Sequence, residues 1–151
     1  MTDPLFARLT VTLDGSEFAE RALTVAIDLA RRYAASLSVL AVAPIVPVYP
    51  TATEPWVPTT AGPSEVAFYR KVVDAAVARA KKEGVGPVTG ICLEGVVTDE
   101  ILMELERHPT DLLVMGSRGL SSARRLLLGS VSDAVLHHVK CAVLIVRPAG
   151  D

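Results

Sequence analysis

Short aliphatic runs and longer amphipathic runs alternate along this chain from one end to the other, and few folds accept that order. Residues 8–13, 36–42 (SLSVLAV), 87–93, 110–115 (TDLLVM) and 141–146 each read as a short, buried strand. Between the first two, residues 17–34 repeat apolar positions at helical spacing through Phe18, Ala22, Val25, Leu29 and Tyr33. A second helix follows Ser64, carries Val66, Tyr69, Val73, Val77 and Ala80, and stops near Gly84. A third, with Thr98 as its expected cap, ends before Pro109, and a fourth occupies 130–139. Strand and helix taking turns imply an α/β domain with a parallel sheet and helices on both faces, joined by right-handed crossovers. The simplest such winding for five strands is a single open Rossmann-like domain of order 3-2-1-4-5. Its topological switch then falls between strands one and four, and ligands of open α/β sheets bind in that crevice, beyond the carboxyl ends of the strands.

Two motifs about a hundred positions apart converge on that crevice. Asp14-Gly15-Ser16 follows the first strand, and Met115-Gly116-Ser117-Arg118-Gly119 ends the fourth, with Gly129-Ser130 nine residues on, opening the fourth helix. Glycines let a ligand approach the backbone, and a helix N-terminus offers unpaired N–H groups to an anion. Arg118, Arg124 and Arg125 add positive charge, and Ser130 and Ser132 add hydroxyls. On this reading, bulky residues at Gly116 or Gly129 abolish binding without unfolding the chain. The competing readings are a tight turn without a ligand, Ser130 and Asp133 as a helix-capping pair, and Asp14 as a turn residue that caps the first helix.

The spacing Gly116-x2-Gly119-x9-Gly129-Ser130 resembles the nucleotide-binding signature of the universal stress protein family. The likeness extends from Leu9-Thr10-Val11-Thr12-Leu13-Asp14-Gly15-Ser16 to Cys141-Ala142-Val143-Leu144-Ile145-Val146-Arg147-Pro148. It implies the adenine nucleotide alpha hydrolase-like fold with the same strand order, and membership of the branch that binds ATP, with Mg2+ as an accompanying ion. It also implies cofactor-binding roles for Leu13, Asp14, Val42, Met115, Gly116, Arg118, Gly119, Gly129, Ser130, Val131 and Ser132, with Leu13, Val42 and Met115 lining the adenine pocket. Thr12 and Lys140 stand where the family often has proline, and neither touches the glycine motif.

Other features bound the function. At 151 residues and 50% hydrophobic, the chain makes about one domain with a sizeable core, and 43–63 is a connection within it holding six prolines. A net charge of −2 argues against nucleic acid, and the lack of a long apolar run argues against a membrane span. The expectation is a soluble cytoplasmic protein. Cys92 and Cys141 lie in strand-like runs and read as buried thiols. His108, His137 and His138 sit near helix ends without metal spacing, so any enzymatic activity is a weak ATPase at most. Gly84, Gly86 and Gly90 follow a helix and precede a strand, the reverse of a dinucleotide fingerprint.

The closing run Cys141-Ala142-Val143-Leu144-Ile145-Val146 would be an apolar sheet edge, which a second copy can cover across a two-fold axis. The family dimerises through this strand, while an edge hidden by Pro148 and the tail is the alternative. The readings in play are an ATP-binding homodimeric regulator of stress response, a slow ATPase or autophosphorylating protein with Ser121, Ser130 or Ser132 as acceptor, a nucleotide-free dimeric interaction module, and a cyclic AMP binder.

Overall fold

A computed structural model describes residues 3–45, 61–120 and 128–149. Residues 46–60 of the proline-rich connection, with Ser121, Arg124 and Arg125, lie outside the described residues. The elements run β1 (Arg8–Leu13), α1 (Glu17–Tyr33), β2 (Ser36–Pro44), α2 (Pro63–Lys82), β3 (Val88–Gly95), α3 (Val97–Arg107), β4 (Leu112–Gly116), α4 (Ser130–His138) and β5 (Ala142–Val146). The strands form one parallel sheet of order β3-β2-β1-β4-β5. The winding expected from the strand and helix order is therefore the one adopted.

Alternation along each strand divides the core in two. Leu37, Val39, Ala41 and Ala43 of β2, with Leu112 and Val114 of β4, pack under α1 and α2. Leu40, Val42, Leu113 and Met115 face the other way, with Ile101 of α3 and Val135 of α4. β2 and β4 are thus apolar on both faces, as a sheet covered on both sides requires. β1 differs, because its second face carries Thr10 and Thr12. Thr10 and Thr110 share a hydroxyl–hydroxyl bond of 2.6 Å.

Three local expectations need correction. The buried stripe of α1 is Ala19, Ala22, Leu23, Ala26, Ile27 and Ala30 rather than the face through Phe18, Val25, Leu29 and Tyr33. Small alanines let this helix lie close to the sheet, and the larger residues flank it. Tyr33 stays exposed and packs edge-on against Phe6 at 5.3 Å. Thr98 does not cap α3. The N-cap is Val96, without a side-chain cap bond, and Thr98 lies inside the first turn. Nor does Ser130 cap α4: Gly129 holds that position, and the Asp133 amide bonds the Gly129 carbonyl. For α1, Ser16 is the cap, its Oγ accepting from the Ala19 amide at 3.2 Å.

Both cysteines are half-buried free thiols. Burial pushes both upward from the ordinary thiol range, so they stay protonated at neutral pH. Among the described residues no helix is long and apolar enough to cross a membrane.

Candidate functional site

Where β1 and β4 lie side by side, their chains leave the sheet in different directions, and a cleft of about 480 Å³ opens above their carboxyl ends. That volume lies within the range of small-molecule sites, roughly 300–1,000 Å³. Leu13, Asp14, Val42, Met115, Gly116, Arg118, Gly119, Gly129, Ser130, Val131 and Ser132 all line it. The structure thus brings every residue singled out for cofactor binding to one place.

The lining of the cleft has two chemical characters. Leu40, Val42, Val97, Ile101 and Met115 form an apolar wall. α4 begins at Gly129 without a side-chain cap, and the amides of its first turn, like those of any helix, have no intrahelical partner. Arg118 is buried, with its guanidinium 6.0 Å from the Phe18 ring centroid.

Asp14 joins the two motifs. One carboxylate oxygen accepts from the Ser16 amide at 2.9 Å, within its own turn. The other accepts from the Leu120 amide at 3.2 Å, across 106 positions of sequence. The turn reading and the cleft reading of Asp14 are therefore compatible: it shapes the loop after β1 and tethers the loop after β4. Each oxygen keeps a further lone pair for another donor.

The three motif glycines each lie close to another part of the chain. A Cβ at Gly116 would stand 2.9 Å from the Phe18 carbonyl carbon and oxygen, in the backbone of α1. At Gly119 it would stand 2.5 Å from Asp14 Oδ2, and at Gly129 it would stand 3.2 Å from the Arg118 Cα. The Gly129 amide also bonds the Ser117 carbonyl at 2.7 Å, pinning the two legs of the loop together. A bulky residue at Gly116 would therefore strain the fold as well as the cleft. Ser132 needs a similar correction. Its Oγ donates to the Gly116 carbonyl at 2.9 Å, so its one proton is spent on the end of β4 and towards a ligand it can only accept.

Sequence reasoning missed Thr12, Ala19, Leu40, Pro44, Tyr69, Val97, Ile101, Leu120 and Leu128 as lining residues. Most are apolar and look like any core residue. Tyr69 stood in the apolar stripe of α2, and its hydroxyl was the overlooked signal. None of the three histidines lines the cleft. His108 Nδ1 pairs with Glu104 Oε1 at 2.7 Å, and the Nδ1 atoms of His137 and His138 bond carbonyls one turn back. Among the described residues no group of three His, Cys, Asp or Glu could hold a metal ion. Among the described residues that line the cleft, Asp14 is the one carboxylate.

The sequence profile described as "Universal stress protein family" matches residues 6–147. The chain belongs to the universal stress protein family. The universal stress protein YxiE of Bacillus subtilis is 34% identical over 159 aligned positions, covering 95% of this chain and all of that protein. A universal stress protein of Thermus aquaticus is also 34% identical, with the same coverage. Among solved structures, a universal stress protein in complex with cAMP superposes with a TM-score of 0.69 at 27% identity, over 94% of this chain and 97% of that one. The likeness therefore spans the whole universal stress protein domain, both motifs of the cleft included.

Proposed function

We propose that this universal stress protein binds ATP in the cleft between β1 and β4, and acts as a homodimeric regulator whose shape or partners follow its nucleotide state. The observation that carries the proposal is the division of the cleft into an apolar wall and an uncapped helix N-terminus beside Arg118. A flat apolar base suits the wall of Leu40, Val42, Ile101 and Met115. Phosphates suit the amides at Ser130 and Val131, the positive end of the α4 dipole. Asp14 lines the same cleft, able to accept from the adenosine part. The second copy would cover β5, an edge strand whose Ala142 is exposed and whose Val143, Leu144 and Ile145 are only half-buried.

Cyclic AMP is a second reading, because one relative was solved with that ligand. Both ligands share the base and sugar, and they differ in how much phosphate the loop holds. Isothermal titration of nucleotide-stripped protein with Mg-ATP and with cAMP separates them. Saturable ATP binding at one site per chain, tighter than cAMP, supports the proposal. Tighter cAMP binding favours the second reading, and heat from neither overturns both.

A further inference from the structure

We propose that Tyr69 is a ligand-binding residue of this cleft, its phenolic hydroxyl donating a hydrogen bond to a ribose oxygen of the bound nucleotide. The inference rests on the nucleotide reading above and assigns the sugar end of that same site to a residue on α2.

Tyr69 is only 8% exposed, and it lines the cleft. Its ring is held by packing, edge-on to Phe68 at 5.1 Å between centroids and among the core residues under α2. Its hydroxyl has no hydrogen-bond partner among the described residues, yet none of their fully enclosed side-chain polar atoms is left unbonded. The hydroxyl is therefore not fully enclosed, and the residue that carries it lines the cleft. A buried tyrosine normally satisfies its O–H, since an unmet buried donor costs about 1–3 kcal/mol. A donor left open at the wall of a pocket is a place where a ligand supplies the acceptor.

The surroundings select which part of the ligand that is. Burial, then the negative charges of Asp14 and Glu65, push the phenol above its ordinary value, so it remains a donor at neutral pH. Asp14, which shares the lining of the cleft with Tyr69, makes this corner unfavourable for phosphate, which the α4 N-terminus and Arg118 serve better. The apolar wall of Leu40, Val42, Ile101 and Met115 offers the base nothing to accept or donate through side chains. A neutral, hydroxyl-bearing group fits what is left. Tyr69 can donate to a ribose oxygen while Asp14 accepts from a ribose hydroxyl.

The test is a cycle of ligand and protein variants by isothermal titration, using ATP, 2′-deoxy-ATP and 3′-deoxy-ATP against wild type and Tyr69→Phe. The phenylalanine keeps the ring and removes a hydroxyl with no hydrogen bond among the described residues, so unliganded thermal stability is expected to stay unchanged. Wild type should prefer ATP to at least one deoxy analogue. Tyr69→Phe should bind ATP about three- to tenfold more weakly, the range one neutral hydrogen bond supports. That loss should shrink towards none with the analogue lacking the contacted oxygen. Unchanged ATP affinity in Tyr69→Phe, or an equal loss for all three nucleotides, overturns the assignment while leaving nucleotide binding intact. Absence of ATP binding in wild type overturns the nucleotide reading and this inference together.

Discussion

Single residues decide how the loop around the cleft is built. Gly116 faces the backbone of α1, which cannot step aside, so Gly116→Ala should destabilise the unliganded protein by about 1–3 kcal/mol in chemical denaturation. At Gly119 the obstacle is the tip of the Asp14 side chain, which can swing away. Gly119→Ala should therefore cost less stability but break the Asp14–Leu120 tether, weakening ATP binding about tenfold by titration. If Gly119→Ala instead cost as much stability as Gly116→Ala with affinity unchanged, the tether would have no role in binding. Ala34 closes α1 in the left-handed region, with φ 51°, where glycine is easier. Ala34→Gly should raise stability by about 0.5–1 kcal/mol, and a loss on thermal unfolding would contradict that account. The glycine positions of the motif were legible in the sequence, but their reason was not. Only the folded chain shows Phe18 against Gly116 and Asp14 against Gly119, because those contacts join parts about a hundred residues apart.

Elements were legible where local pattern and tertiary packing agree. In α2, Tyr69, Val73 and Ala80 stood in the expected stripe and are buried. In α1 the largest apolar residues gave the wrong face. The sheet selects the alanine face, since small side chains permit a close helix, and composition alone does not rank closeness above size. The caps of α3 and α4 failed similarly, because a cap is fixed by the backbone angle of entry, and Thr98 and Ser130 each fall inside the helix. β1 and β4 are joined at their starts by Asp111, which accepts from the Ala7 and Arg8 amides and pairs with the Arg8 guanidinium at 2.7 Å. The Arg8 side chain, then its backbone bonds, hold the Asp111 carboxyl below its ordinary value of 3.8 despite partial burial. A depressed folded value means that this stabilisation is present above the ordinary carboxylate range and is lost as pH falls through the lower folded value. Asp111→Asn should remove that segment of the acid-unfolding curve. Equal acid sensitivity of variant and wild type below pH about 4 would show that the pair does not link the strands.

At the scale of the molecule, the strand order was expected as the simplest winding that alternation and handedness allow, and as the order the family resemblance implies, and it placed the cleft. What stayed hidden was the floor of that cleft, since Leu40, Val97 and Ile101 are core-like residues that happen to end beneath an opening. The same order leaves β5 at an edge. Sedimentation equilibrium should find a species of twice the chain mass, and Ala142→Glu, which puts a charge on the exposed start of that strand, should shift it towards the monomer. A wild-type monomer at all concentrations would rule out the edge as a self-association surface. The central claim is that the cleft holds an adenine nucleotide, and thermal unfolding of nucleotide-stripped protein with and without excess Mg-ATP, ADP or cAMP tests it most directly. Ligand at about a hundred times its dissociation constant should stabilise the fold by about 2.7 kcal/mol, or roughly 5–10 °C for a chain of this size. An unchanged midpoint with all three nucleotides would contradict the account and leave the glycine loop a structural turn.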